Sequence, residues 1–184
     1  MAHVARLEAA RTQLLVIDVQ ARLVPHIFQH ESVVSQIVRM IRAGQQLGLP
    51  TVLTEQYVKG LGATADEVLA AAKECERFEK ATFSACGDAK AFRAMKDNVR
   101  NLVLVAGIET HVCVQQTVLD LLEKQMTPFV LADAVSSRRE RDREVALTRM
   151  RDSGAVVTTV EAAIFEMLDR CDTDLFKRIL PIVK

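Results

Sequence analysis

The sequence predicts an α/β fold of three layers, with helices on both sides of a six-stranded parallel sheet. Six short apolar runs alternate with segments of helical period. The runs are continuous rather than alternating, as expected of strands covered on both faces. Right-handed crossovers then leave few topologies, of which 3-2-1-4-5-6 is the commonest. With 184 residues, 49% of them hydrophobic, the chain can bury a sizeable core and suits one domain spanning residues 1–184.

The first strand is Gln13 to Val19 (QLLVIDV), with one carboxylate, Asp18, at its end. A charge there is costly unless it is paired or at work, although Asp18 suits the first residue of a loop equally well. His26 and His30 follow in that loop. Glu31 to Leu47 then has helical period through Val34, Ile37, Val38, Ile41 and Leu47, and Gly48 and Pro50 end it. Thr51 to Glu55 is the second strand. The loop after it, QYVKGLGATADE, leaves the carboxyl end of a strand and suits a lid or pocket wall. Its Gly-x-Gly is too short and wrongly placed for a dinucleotide fingerprint. Asp66 to Cys75 reads as a short helix and Glu76 to Phe83 (ERFEKATF) as a strand-like piece holding Lys80. A lysine between apolar neighbours more often snorkels at the surface than takes part in chemistry. Gly87 to Asn98 is a further helix.

The fourth strand, Leu102 to Ala106, breaks at Gly107 and gives way to a helical pattern through Val114, Val118, Leu121 and Leu122. Thr110 is the expected N-cap, which puts Cys113 in the first turn, near N–H groups without intrahelical acceptors. A thiol there should ionise easily, because the helix dipole favours thiolate. The plainer alternative is a small buried core residue. Thr127 to Ala132 is the fifth strand, Glu140 to Ser153 a helix ended by Gly154, Ala155 to Thr159 the sixth strand, and Glu161 to Leu168 and Thr173 to Val183 the closing helices. In the 3-2-1-4-5-6 order the first and fourth strands are neighbours at the switch point, so Asp18 and the Cys113 turn open into one crevice.

Composition narrows the partner. Lysine plus arginine balance aspartate plus glutamate, 24 against 24, so a broad preference for nucleic acid or an anionic membrane is not indicated. The expected partner is a small-molecule substrate. The mixed-charge run SSRRERDR, Ser136 to Arg143, reads as a solvated helix face or ion-pair network rather than an RNA contact. Four cysteines without a C-x-x-C pair suggest neither a disulfide framework nor a zinc ribbon. The opening MAHVARLEAAR lacks an apolar signal core, and no apolar segment approaches a membrane span, so the expected location is cytoplasmic. Arg6 and Arg11 leave a short mitochondrial signal open, against Glu8 and the early first strand.

Seven stretches together resemble the isochorismatase-like cysteine hydrolase superfamily, and most of all its branch of isochorismatase domain-containing proteins. They are LLVIDVQ with Asp18, LTEQYVKGLG, FEKATFS with Lys80, AGIETHVCV with Cys113, and the downstream ADAVSSR, ALTRM and SGA segments. The resemblance implies a triad: Cys113 as nucleophile, Asp18 as general acid and base, and Lys80 as the cation near both. It also implies a cis peptide at Ile108–Glu109 and an oxyanion hole built from the backbone N–H groups of Glu109 and Cys113. Nicotinamidases of the superfamily bind a divalent ion through an aspartate and histidines after the second strand, where this chain has Glu55, Gln56 and Tyr57. His3, His26, His30 and His111 form no paired ligand motif, so neither metal nor other cofactor is expected. Loop position makes Gln20, Tyr57, Phe83 and His111 candidates for the substrate pocket, with His111 equally able to face solvent. The implied activity is hydrolysis of a C–N bond in a small amide through a thioester. Isochorismate-type vinyl-ether cleavage and a non-catalytic scaffold on the same fold are the alternatives, and self-association into a homo-oligomer is expected.

Overall fold

The computed structural model describes residues 6–184, so His3 and the first five residues of the opening segment lie outside it. Strands β1 (Thr12–Ile17), β2 (Thr51–Gln56), β3 (Glu76–Lys80), β4 (Leu102–Ile108), β5 (Thr127–Ser136) and β6 (Val156–Thr158) form one sheet in the order β3-β2-β1-β4-β5-β6. Every strand pairing is parallel. The helices are α1 (His30–Gln46), α2 (Val58–Leu61), α3 (Asp66–Ala71), α4 (Ala89–Asp97), α5 (Gln115–Glu123), α6 (Glu140–Asp152), α7 (Val160–Leu168) and α8 (Asp174–Val183). None is long and apolar enough to cross a membrane.

Two cores follow from the period of two along the central strands. Leu14 and Val16 of β1 and Leu102, Leu104 and Ala106 of β4 face α1, α7 and α8. Leu15, Ile17, Val103 and Val105 face Met95 of α4, Val118 and Leu121 of α5, and Met150 of α6. Both faces of β1 and β4 are thus sealed, and only the strand ends remain for chemistry.

At the carboxyl edge three expectations need correction. The first strand stops at Ile17, because Asp18 turns into the left-handed region with φ 53°. Aspartate tolerates that region better than most residues. The fifth strand runs on to Ser136, and its pairing with β4 slips between Val105 and Gly107. Gly107 has φ 126°, and a Cβ on it would sit 2.1 Å from the Ile17 carbonyl oxygen, so only glycine lets β4 approach β1 so closely. Finally, Thr110 does not cap a helix. Residues Thr110–Val114 form a π-type turn in which Val114 N–H reaches back to the Glu109 carbonyl at 3.2 Å, and α5 begins only at Gln115.

Candidate active site

Asp18 and Lys80 meet where β1 and β3 end on either side of β2. Asp18 Oδ2 accepts from Lys80 Nζ at 2.7 Å and Oδ1 from Thr54 Oγ1 at 2.7 Å, while the Asp18 N–H donates to the Thr54 carbonyl at 3.0 Å. Lys80 Nζ also reaches Gln56 Oε1 at 2.8 Å and the carbonyls of Phe83 and Thr82 at 2.9 and 3.1 Å. The lysine side chain is fully buried. The snorkelling alternative for Lys80 is therefore wrong: β3 is an edge strand, but its last residue turns inward to a carboxylate. Thr54 escaped the sequence reading, although a hydroxyl inside the apolar run TVLTE was the available signal.

Cys113 lies in the π-type turn beyond β4, 6% exposed, and belongs to the core under α5 and α6. It is packed as a core residue, and the Asp18 charge acts on its thiol. The turn is fixed from below by Thr117 Oγ1, which donates to the Cys113 carbonyl at 2.7 Å and accepts from the Ala85 N–H at 2.9 Å. The expectation of an easily ionised thiol is overturned. Burial raises the Cys113 pKa above its ordinary value of 9.0, the Asp18 charge pushes the same way, and Lys80 opposes them only in part. The charge of Glu109 adds to the rise. The helix-end field does not offset this desolvation at a nearly closed site.

On the far side of Cys113 the Ile108–Glu109 peptide is cis. The Glu109 side chain, nearly buried, takes two bonds on Oε2, from the Arg138 N–H at 2.9 Å and from Arg138 Nε at 3.0 Å. His111 Nδ1 lies 2.9 Å from Ser137 Oγ, so the ring is held against the β5–α6 connection rather than left in solvent. Thr110 Oγ1 is buried without a hydrogen-bond partner among the described residues.

Of the four residues expected to line a substrate pocket, Gln20, Tyr57 and Phe83 adjoin Gln56 and Lys80, while His111 stands by Ser137. Gln20 is wholly buried, and its side chain bolts the segment after β2: Nε2 donates to the carbonyls of Gln56 and Gly62, and Oε1 accepts from the Gln56 N–H. That role corrects its assignment as a substrate contact. Tyr57 lines a surface cleft of about 480 Å³ along the outer side of β3 with Arg77, Phe78, Glu79 and Lys90, a cleft that Cys113, Gln20, Phe83 and His111 do not line. Tyr57 and Phe83 are both more than half exposed. Among the described residues no group of three or more His, Cys, Asp or Glu side chains is arranged to hold a metal ion.

The doubly covered parallel sheet of order β3-β2-β1-β4-β5-β6 is the fold of the isochorismatase-like hydrolases. The family model for the isochorismatase domain matches residues 12–162. Isochorismatase family protein 1B of Dictyostelium discoideum is 42% identical over 93% of this chain and 85% of its own. Isochorismatase domain-containing protein 2 of Danio rerio is 37% identical over 97% and 90%. Among solved structures, the MAR1 ribonuclease of Caenorhabditis elegans superposes with a TM-score of 0.92 at 36% identity, covering 97% of this chain and 92% of its own. The chain belongs to the isochorismatase-like hydrolase family.

Proposed function

We propose that this protein is a metal-independent cysteine hydrolase that cleaves the C–N bond of a small amide, or of a related carbonyl compound, through a thioester. The observation that supports it most is an Asp18 carboxylate held in one orientation by Lys80 and Thr54 at the end of β1, beside the end of β4 from which the Cys113 turn departs. The Cys113 sulfur attacks the carbonyl carbon while its proton passes to Asp18; Asp18 then delivers that proton to the departing amine, and the C–N bond breaks. Asp18 next takes a proton from water, whose oxygen attacks the thioester and returns the thiol. Because burial keeps the resting thiol protonated, proton transfer accompanies attack rather than preceding it. Lys80 spends its donors on Asp18, Gln56 and two carbonyls, so its part is to fix Asp18 rather than to touch substrate. The backbone N–H groups of Glu109 and Cys113 are the oxyanion donors in this reading. Metal independence draws on the last two residues of β2, where Glu55 Oε1 is engaged by Thr64 and Gln56 Oε1 by Lys80.

The name of the nematode relative favours a second reading, RNA cleavage. Against it, three of the four arginines in Ser136 to Arg143 are already engaged: Arg138 with Glu109, Arg141 with Glu144, and Arg143 with the Val135 and Ala132 carbonyls. The deciding experiment is a panel of small primary amides, vinyl ethers and single-stranded RNA run with wild type and Cys113→Ala. Amide turnover falling by at least about 10³-fold in the variant is the expected result. Full amide turnover by Cys113→Ala sinks the mechanism, and RNA cleavage that depends on Cys113 replaces the substrate class.

A further inference from the structure

The Cys113 turn carries a second carboxylate, Glu109, whose carbonyl accepts from the Val112 and Val114 N–H groups on either side of Cys113 at 3.1 and 3.2 Å, and the thioester chemistry makes no use of its side chain. Glu109 directly follows β4, is 8% exposed, and its charge raises the Cys113 thiol together with that of Asp18. Negative charge must build on the Cys113 sulfur and on a bound carbonyl oxygen during attack. A buried carboxylate on the residue whose N–H is the oxyanion donor in the proposed reading opposes both, because opposition between like charges strengthens as water is removed. Attack at such a site is therefore opposed unless something offsets the Glu109 charge.

The offsetting group is Arg138. Its backbone N–H and its Nε converge on the same oxygen, Glu109 Oε2, at 2.9 and 3.0 Å. The loop that delivers it is fixed: Phe28 N–H donates to the Ser137 carbonyl at 2.9 Å, Ser136 Oγ donates to the Phe28 carbonyl at 2.8 Å, and His111 Nδ1 meets Ser137 Oγ at 2.9 Å. A guanidinium held through Nε on a pinned backbone keeps its plane and its charge in place, which a lysine on a free stem does not. We infer that Arg138 is a positioning residue that neutralises Glu109, so that negative charge can form at the Cys113 sulfur and beside the Glu109 N–H. For its catalytic consequence this rests on the cysteine-hydrolase reading above; the field at the thiol is measurable without turnover.

The charged groups around the thiol are Asp18 from the end of β1, Lys80 from the end of β3 and Glu109 from the end of β4, with Arg138 acting through Glu109. The test is the rate of Cys113 alkylation by iodoacetamide between about pH 7 and 10, read by peptide mass spectrometry, in four proteins: wild type, Arg138→Gln, Glu109→Gln and the double variant. Arg138→Gln is expected to slow Cys113 by about 3- to 10-fold at a given pH, an alkaline displacement of up to about one unit. Glu109→Gln reacts at least as fast as wild type, and the double variant returns to within about twofold of it, because the charge that needed offsetting is gone. A loop tether alone predicts the opposite pattern, faster alkylation in Arg138→Gln and in the double variant alike. That pattern, or an unchanged Arg138→Gln, overturns the inference. Should Arg138→Gln fail to fold, Arg138→Lys carries the test: with the charge kept but the Nε bond lost, it must fall between wild type and the slowed state, and a rate at or above wild type overturns the inference. Full turnover by Cys113→Ala would remove the hydrolase reading and leave this rescue pattern standing. Absence of rescue with turnover still dependent on Cys113 would remove only the role of Arg138.

Discussion

Two ion pairs flank Cys113, and they differ chiefly in water. In Asp18–Lys80 the side chains are 1% and 0% exposed; in Glu109–Arg138 they are 9% and 61% exposed. The first pair is part of the fold. Each of its members is held by further bonds at the ends of β1, β2 and β3, so neither has an alternative partner in solvent. The second pair has one buried end and one wet end, and water can stand in for much of what the guanidinium supplies to stability. Similar charge chemistry therefore does two jobs: the dry pair fixes where the acid-base group stands, and the half-wet pair sets the field in which the thiol works.

The largest expected effect comes from breaking the dry pair. Lys80→Met leaves the Asp18 carboxylate buried without its cation, and loss of one partner of such a pair typically costs about 3–5 kcal/mol. Urea unfolding of this variant should show that loss, while Arg138→Gln, whose cation is mostly solvated, should cost less than about 1 kcal/mol. Similar losses in the two variants would erase the distinction between the pairs. A partial recovery in Lys80→Met with Asp18→Asn would sharpen it, since the orphaned charge would then be gone.

Gly107→Ala perturbs the dry side through the backbone alone. Its methyl group would lie 2.1 Å from the Ile17 carbonyl oxygen, one residue before Asp18, and the φ of 126° is unfavourable for alanine. A loss on the order of 2–4 kcal/mol is expected from the clash and the strained conformation together. Because Glu109 and Arg138 are joined beyond that contact, alkylation of folded Gly107→Ala should keep its dependence on Arg138. A folded Gly107→Ala as stable as wild type would mean that β1 and β4 can part at the crevice without cost.

The sheet order was legible in the sequence because it follows from strong periodicity, and that order puts the end of β1 with Asp18 beside the turn after β4 that holds Cys113; Lys80 was pointed to only by the family resemblance, its own context suggesting a surface residue. The sequence was weakest where tertiary contacts decide local structure. Thr54 and Arg138 act across strands, and no spacing within one segment points to their partners. Gln20 sits in a loop position suited to substrate contact, yet three bonds to the segment after β2 turn it into a strut. The ease of ionisation expected of Cys113 failed for the same reason: a helix-end dipole is a local feature, whereas burial and the Asp18 carboxylate belong to the assembled edge.

Thr110 offers the finest separation of local from assembled effects, and the smallest expected change. As an N-cap its hydroxyl would stabilise the turn, and replacing it would cost about 1 kcal/mol. In the folded protein the residue instead enters a π-type turn, wholly buried, with an Oγ1 that bonds to neither ion pair and has no partner among the described residues. Valine has nearly the same shape and removes a hydroxyl that was desolvated without compensation. Thr110→Val is therefore expected to leave the fold intact and raise the unfolding free energy by up to about 1 kcal/mol, with Cys113 alkylation unchanged. A destabilised variant would show that Oγ1 has a partner in solution, a buried water being the simplest. A change in the Cys113 pH profile would tie that partner to the ion pairs and merge the two regions that the other variants separate.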